Sequence, residues 1–326
     1  MSSHRRDPTR ALHVLLVFAC LGTLVATAFV SFARSPQATE RKIVSDDFTK
    51  KRQESASQTS SSKGPKGQAS GGTPSKSKQP GRTYRLASVP VTKRTRPATK
   101  PAAVEQLGIT IWRLRPAGAN DAGTRMLVRE KGNSSGWVPE RVEADTTFRE
   151  GDYVRLSVES LRVGYLYVVD RDLLADGTSG PAMLIYPWID VASGNNQVGP
   201  GKLIDIPAQE DDPSYFTARL TSKNQVGEIL TFIVSPTPLA LPHSDKPLQI
   251  SNRDLATWEQ RWGAQNERFE MEGGAGEAWT KQEQQAAVRK GMRQLTRDDP
   301  APQTIYRIPA ADSKAILVNV RLRYSK

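Results

Sequence analysis

Cysteine and histidine are scarce in this chain of 326 residues. Cys20 is the single cysteine, which excludes an internal disulfide framework and any zinc site built on cysteines. The three histidines are His4, His13 and His243, so a histidine-rich metal site is excluded as well. His243 is the one candidate base for a catalytic triad, but its Ser and Asp neighbours in residues 241–245 share one Pro-flanked loop. A triad needs side chains that converge from separate elements, so we expect no catalytic role there.

Acidic residues are too few to balance the basic residues of the whole chain, and the excess of positive charge is concentrated in one part of the sequence. The 46 Lys and Arg residues exceed the 34 Asp and Glu residues by 12. Residues 1–33 hold three Arg and one Asp, residues 34–103 hold 16 basic and 4 acidic residues, and residues 104–326 hold 27 and 29. The last region also carries 17 of the 22 aromatic residues. The folded part is therefore C-terminal and nearly neutral, which argues against a basic nucleic-acid-binding domain.

The N-terminal segment, residues 1–33, has three arginines followed by an apolar run over residues 11–33. As a helix this run would be about 34 Å long, enough to cross a hydrocarbon core of about 30 Å. A transmembrane anchor is the first interpretation. A cleaved signal peptide ending near Ala28 is the second, and lipidation of Cys20 is the third. A count of flanking Lys and Arg places the C-terminal body in the cytoplasm, whereas a signal-like start exports the rest of its chain, and we favour export.

Residues 34–103 are rich in Ser, Thr, Gln, Pro, Gly and Lys, and Phe48 and Tyr84 are the only aromatic residues there. This composition cannot bury enough apolar surface to offset its ordering entropy, which predicts a disordered basic tether. A flexible coil of this length spans about 45 Å. The charge suits an anionic polymer or lipid surface, and a solvated spacer is the alternative. Nucleic acid is the weakest partner because no aromatic residues are interleaved to stack on bases.

Period-two alternation of apolar residues dominates residues 104–326 and predicts β-strands. The clearest case has Val154, Leu156 and Val158 on one face and polar residues between them. A short turn after it predicts a hairpin with the next strand. The predicted strands are 108–112, 153–159, 164–169, 183–186, 202–206, 215–220, 228–234, 304–308 and 315–322. Many short strands without intervening helices are typical of an antiparallel sandwich or barrel.

A helical insert is predicted near residues 251–295. Capping boxes stand at Ser251–Asp254 and Thr280–Glu283, and each precedes apolar residues at helical spacing. Those residues are Leu255, Trp258 and Trp262 after the first box, and Val288, Met292 and Leu295 after the second. The predicted fold is therefore mainly β, an antiparallel β-sandwich or barrel-like domain with two appended helices.

A family resemblance is carried by several stretches of residues 104–326. They are 107–114, 148–160, 164–171, 176–178, 185–187 and 201–207, followed by 273–280 and 298–306. Together they resemble the bacterial domain of unknown function 4384, and the last two resemble the C-terminal part of its long members. The resemblance implies an exported or envelope-associated accessory domain and assigns no reaction. Long members tend to carry Asp-Asn where this chain has Asn195-Asn196, which weakens any ligand role for that turn.

Asp170, Asp172 and Asp176 are the acidic residues whose spacing most invites a metal interpretation. They precede Gly177 and could supply oxygens to Ca²⁺, but their spacing differs from that of a helix–loop–helix calcium loop. A polar turn between strands is the favoured interpretation.

Three other features have structural interpretations that we favour. Residues 210–212 form an acidic run typical of a solvated loop. Residues 273–276 are glycine-rich but lack the Lys-Ser/Thr of a phosphate-binding loop, and they indicate a flexible connection. Aromatic residues that could form a binding face, but more often pack in a core, are Tyr165, Tyr167, Tyr186 and Trp188.

No catalytic, cofactor or metal site is assembled by these patterns. We expect a non-enzymatic binding or accessory module of the bacterial envelope, tethered to the membrane through residues 11–33, with an envelope protein or anionic polymer as its partner. The alternative is a structural tether whose basic linker binds an anionic polymer or lipid surface. A hydrolase that uses acidic residues is the least favoured, and a pocket holding two carboxylates with well-separated pKa values would revive it.

Overall fold

The computed structural model describes residues 46–52, 84–86, 104–121, 123–130, 133–187, 196–242, 247–287, 294–309 and 314–325. All of them fall within one compact unit that extends over residues 36–326. The apolar segment 11–33, Trp188 and His243 lie outside the described residues. Within the described part of the chain, no helix combines the length and apolarity needed to span a membrane.

The described residues are mainly β, as the sequence predicts. The strands are β1 (Tyr84–Leu86), β2 (Val104–Pro116), β3 (Met126–Glu130), β4 (Asn133–Val142), β5 (Thr147–Arg149), β6 (Tyr153–Ser160), β7 (Gly164–Leu174), β8 (Ala182–Tyr186), β9 (Gln197–Val198), β10 (Leu203–Ile206), β11 (Phe216–Thr217), β12 (Gln225–Ser235), β13 (Leu248–Ile250), β14 (Glu267–Met271), β15 (Thr304–Pro309) and β16 (Ile316–Ser325). The helices are α1 (46–52), α2 (Asn252–Trp262) and α3 (Lys281–Ala287), with a 3₁₀ turn at Ala119–Asp121.

Two sheets form the domain. The first has nine strands in the order β1-β14-β15-β2-β4-β3, and β6 pairs with the other side of β2 and carries β10 and β11 on its own far side. The 13-residue β2 is long enough to pair with β15 and β4 in succession along one edge. The second sheet has seven strands, in the order β13-β8-β7-β12-β16-β5 with β9 paired to β7. Pairing between the strands named above is antiparallel except between β5 and β16.

The predicted hairpin between β6 and β7 is wrong, because the two strands belong to different sheets. The chain turns a tight corner after β6, where the Ser160 hydroxyl accepts from the Arg162 N–H and donates to the Arg162 carbonyl. A corner between sheets and a hairpin within one sheet need the same short turn and the same alternation. The sequence pattern therefore could not distinguish them.

The inner faces of the two sheets meet in one apolar core. Val154, Leu156 and Val158 of β6 lie on that side, as predicted, opposite alternate residues of β7, β12 and β16. The polar face of β6 is also buried, although its residues are Arg155, Ser157 and Glu159. Both faces of this strand are therefore covered, and the first sheet carries a second layer on its outer side.

Part of that outer layer comes from residues 34–103, which the sequence predicted as a disordered linker. The structure differs at two points. In α1, Phe48 is fully buried and packs with Tyr84 of β1 in a small apolar cluster. The Tyr84 hydroxyl donates to the Pro302 carbonyl at 2.6 Å, and β1 pairs with β14. These residues belong to the folded domain, while the rest of 34–103 lies outside the described residues.

The predicted capping boxes do begin helices. The Ser251 hydroxyl accepts from the Asp254 N–H at 3.0 Å at the start of α2. At the start of α3, Thr280 and Glu283 exchange side-chain-to-backbone hydrogen bonds. Leu255 of α2 is buried against the outer face of the second sheet, so this helix caps that layer of the sandwich. Among the described residues, α1 is a helix that the sequence did not predict, in addition to the two that follow the capping boxes.

Candidate functional site

One end of the core between the sheets opens into a pocket of about 150 Å³. Its wall is mostly apolar, with Val154 and Leu156 from the first sheet facing Leu230 and Leu322 from the second. The rim contains half-buried side chains, among them Phe216. This space is large enough for several water molecules or for the end of an extended small molecule.

Four polar side chains of the described residues interrupt the apolar wall: Asp170 of β7, Thr217 of β11, Glu228 of β12 and Tyr324 of β16. Asp170 stands opposite Leu230, and Asp172 stands opposite Glu228, so Asp170 and Glu228 are diagonal neighbours on adjacent strands. Such neighbours lie about 7 Å apart, within reach of direct electrostatic interaction. The Tyr324 hydroxyl is hydrogen-bonded to the Glu228 carboxyl.

Burial makes both carboxyl groups hard to ionise. Desolvation, together with the charges of Glu228 and Asp172, raises the pKa of Asp170 to about 8. Desolvation and the charge of Asp172 raise the pKa of Glu228 to about 7, although its hydrogen bond with Tyr324 opposes that shift. The Oδ1 atom of Asp170 is fully buried and has no hydrogen-bond partner among the residues that the structure describes. A buried acceptor left in this way is costly, and the pocket is where a donor could reach it.

The three aspartates considered for Ca²⁺ do not converge. Asp172 accepts from the Gln225 amide at 2.9 Å and from the Thr221 hydroxyl at 2.8 Å. Asp176 accepts from the backbone and hydroxyl of Thr178 at 2.9 and 2.7 Å, which shapes the predicted polar turn. Across the described residues, no group of three or more His, Cys, Asp and Glu side chains is arranged to hold a metal ion. Asp170 alone of the three lines the pocket.

The other features singled out in the sequence are spread over the domain. Tyr165 and Tyr167 belong to the outer face of the second sheet, whereas Tyr186 is buried between the sheets, so these residues form no common face. Residues 210–212 lie in a loop on the surface. The glycine-rich residues 273–276 form turns with a positive φ of 69° at Gly273 and 83° at Gly276.

A second set of charged residues is buried on the outer face of the first sheet. Arg52 of α1 forms a two-pronged ion pair with Glu159 at 2.5 Å, and its remaining donors bind three backbone carbonyls. Arg155 pairs with Asp205 at 2.9 Å, and Arg141 pairs with Glu283. These ion pairs fasten α1, α3 and the neighbouring loops to the sheet. Each of these arginines is paired with a carboxylate inside the domain, although Arg155 Nε is left without a hydrogen-bond partner among the described residues, so we assign them a structural role.

Glu228 and Tyr324 are the pocket residues that sequence reasoning missed. Their signal is phase: Glu228 continues the alternation of Leu230 and Phe232, and Tyr324 continues that of Val320 and Leu322. A carboxylate in phase with an apolar inner face is a candidate for a polar site at the end of a core. Asp170 follows the same rule on β7, although the sequence analysis interpreted it as part of a polar turn.

Comparison with known proteins identifies no relative from which a function for this pocket could be inferred. No protein-family model matches the chain, no curated protein matches it, and no solved structure matches it.

Proposed function

We propose that this protein is a non-enzymatic binding or accessory module of the bacterial envelope, and that the pocket between its sheets takes a small ligand. The observation that carries the proposal is the buried, unpartnered Oδ1 of Asp170 in a cavity of about 150 Å³, whose mostly apolar wall also contains Glu228, Tyr324 and Thr217. Ligand sites of small proteins commonly combine an apolar wall with a few placed polar groups.

The pocket supports binding better than catalysis. The described residues that line it include no His, Cys or Ser. A carboxylate hydrolase needs one ionised and one protonated acid, set by contrasting environments. Burial acts on Asp170 and Glu228 alike and brings their pKa values to about 8 and about 7. The two groups are therefore not divided into an acid and a base.

A pocket-filling variant tests the proposal. Ala218→Leu adds volume at a buried pocket position, and Ala175→Leu makes the same change at an exposed turn. Both full-length variants and the wild type would be incubated with a small-molecule extract of bacterial envelopes and examined by native mass spectrometry. We expect retained mass on the wild type and on Ala175→Leu but not on Ala218→Leu. Equal retention on all three folded proteins would refute a ligand role for the pocket.

The location of the module is part of the proposal. We place residues 11–33 in the membrane and the C-terminal body outside the cytoplasm. Protease added to intact cells, with and without permeabilisation of the outer layer, tests this. Exposure of the body to protease is the expected result, and protection under both conditions would place it in the cytoplasm.

The second candidate is a structural tether, in which the 16 basic residues of 34–103 bind an anionic polymer or lipid surface. In the described part of this segment, Arg52 pairs with Glu159, Arg85 pairs with Glu143 and Lys51 pairs with Asp47. Binding by the others should weaken steeply as ionic strength rises. Binding that persists at high salt and is lost in Ala218→Leu would favour the pocket instead.

A further inference from the structure

We propose that the pocket receives the ammonium end of an aliphatic primary amine, with the alkyl chain along the apolar wall and the charge at Asp170 and Glu228. This inference rests on the proposed function of the same pocket and names the class of its ligand.

The first argument is the acceptor without a donor. Asp170 Oδ1 is fully buried and has no hydrogen-bond partner in the described part of the chain, while the backbone N–H of Arg171 donates to the same carboxyl group. The neighbouring Glu228 carboxyl is hydrogen-bonded to Tyr324 and retains further acceptor capacity. A primary ammonium has three donors on one atom, which suits two carboxyl groups on adjacent strands.

The second argument is charge. No Lys, Arg or His is among the described residues that line the pocket, so an anionic ligand would meet two carboxyl groups and no cationic side chain. The groups that face Asp170 are Asp172 on its own strand, Glu228 on β12 and Tyr324 on β16. The opposite wall contributes Val154, Leu156, Phe216, Thr217 and Ala218, none of which titrates. A bound cation would relieve the repulsion between these acids, and binding would displace the proton that they hold near neutral pH.

The third argument is the wall, which separates an organic cation from a metal ion. Side chains of Leu156, Leu230 and Leu322 leave most of the pocket without oxygen ligands. Ca²⁺ needs six to eight oxygen ligands and Mg²⁺ about six. Asp172, the nearest further carboxylate, is already bound by Gln225 and Thr221. An alkyl chain on that wall instead gains binding free energy with each CH₂ group that it buries.

Titration calorimetry on the full-length chain in nanodiscs tests the inference, with empty nanodiscs subtracted. The probes are n-butylammonium and n-butanol, which share an alkyl chain and differ in charge. We expect n-butylammonium to bind at least 10-fold more tightly than n-butanol. Asp170→Asn and Glu228→Gln should each weaken n-butylammonium at least 10-fold, because each removes one charged partner. Glu210→Gln removes an exposed carboxylate and serves as the matched control.

The outcomes separate this inference from the function on which it rests. Equal affinity for the two probes, or an Asp170→Asn variant that binds n-butylammonium normally, overturns the amine assignment. Binding of Ca²⁺ that depends on Asp170 overturns it in favour of a metal. If no probe binds but envelope material is retained by the wild type and lost in Ala218→Leu, the amine is wrong and the pocket function stands. If nothing is retained either, both fail.

Discussion

Replacement of Asp170 by Asn should remove much of the pH dependence of the domain's stability. The pKa of Asp170 is about 8 in the folded protein, against 3.8 as its ordinary value. Between those pH values the folded state holds a proton that the unfolded state has released. The free energy of unfolding therefore falls as the pH rises through this interval. Below the interval, the Asp170 carboxyl does not lower the free energy of unfolding.

The size of this change in the free energy of unfolding follows from the difference between the two pKa values of Asp170. Each pH unit is worth about 1.4 kcal/mol, so an isolated dry carboxyl would lose about 6 kcal/mol between pH 4 and pH 8. The pocket admits water, and Asp170 shares its titration with Glu228, and both effects reduce the loss. We expect about 3 kcal/mol, so Asp170→Asn should exceed the wild type by about that amount at pH 8 and match it near pH 4.

Urea denaturation followed by tryptophan fluorescence measures this, since all six Trp residues lie in residues 104–326. A smaller decline with pH should persist in Asp170→Asn, because burial also raises the pKa of Glu228 and of Glu270 to about 7. Glu210→Gln is the control for the loss of one carboxylate at the surface. Parallel stability curves for Asp170→Asn and the wild type, or a variant less stable at pH 8, would refute the reasoning.

Three further changes test how the domain is held together. Arg52→Ala should lower the free energy of unfolding by about 3–5 kcal/mol, because Glu159 would remain buried without its partner, and Arg52→Met combined with Glu159→Leu should recover most of the loss in urea titrations. Ser251→Ala should cost about 1 kcal/mol and Ser251→Gly only a few tenths, with faster amide exchange in the first turn of α2 as the local signature. Gly227→Ala should lower the melting temperature well below that of the control Gly118→Ala, because its Cβ would come within 2.0 Å of a backbone carbonyl oxygen whereas that of Gly118 would lie 3.5 Å from a side chain.

The regular part of the fold was predictable because each of its elements follows one local sequence pattern, either strand alternation or helix capping. Strands such as β6, β12 and β16 alternate clearly, and Ser251 and Thr280 begin helices through local hydrogen bonds. Strand β4 escaped prediction because its first half, Asn-Ser-Ser-Gly, has no apolar alternation. The division of strands between two sheets depends on pairings between distant residues, for which a sequence pattern gives no distance.

The pocket and α1 show more clearly that a local sequence pattern does not predict contacts between distant residues. Asp170 was noticed for its neighbours in sequence, whereas its surroundings are Glu228 and Tyr324, on two other strands. In α1 one apolar residue, Phe48, stands among charged ones, which is typical of a solvated segment. The helix is fastened by the ion pair between Arg52 and Glu159, two residues that lie 107 positions apart in the chain. Neither partnership is encoded in local spacing.

The docking of α1 and β1 places residues that precede position 104 within the folded domain. A recombinant fragment that starts at residue 104 would lack Phe48, Arg52 and Tyr84, and would keep Glu159 as an uncompensated charge under an open apolar patch. Cleavage of the chain between residues 52 and 84 should have a different effect, because both α1 and β1 would still be present to make their buried contacts with the rest of the domain. A nicked protein should therefore stay together without a covalent link, and a peptide covering residues 36–52 should rescue, in trans, a chain that begins at residue 84.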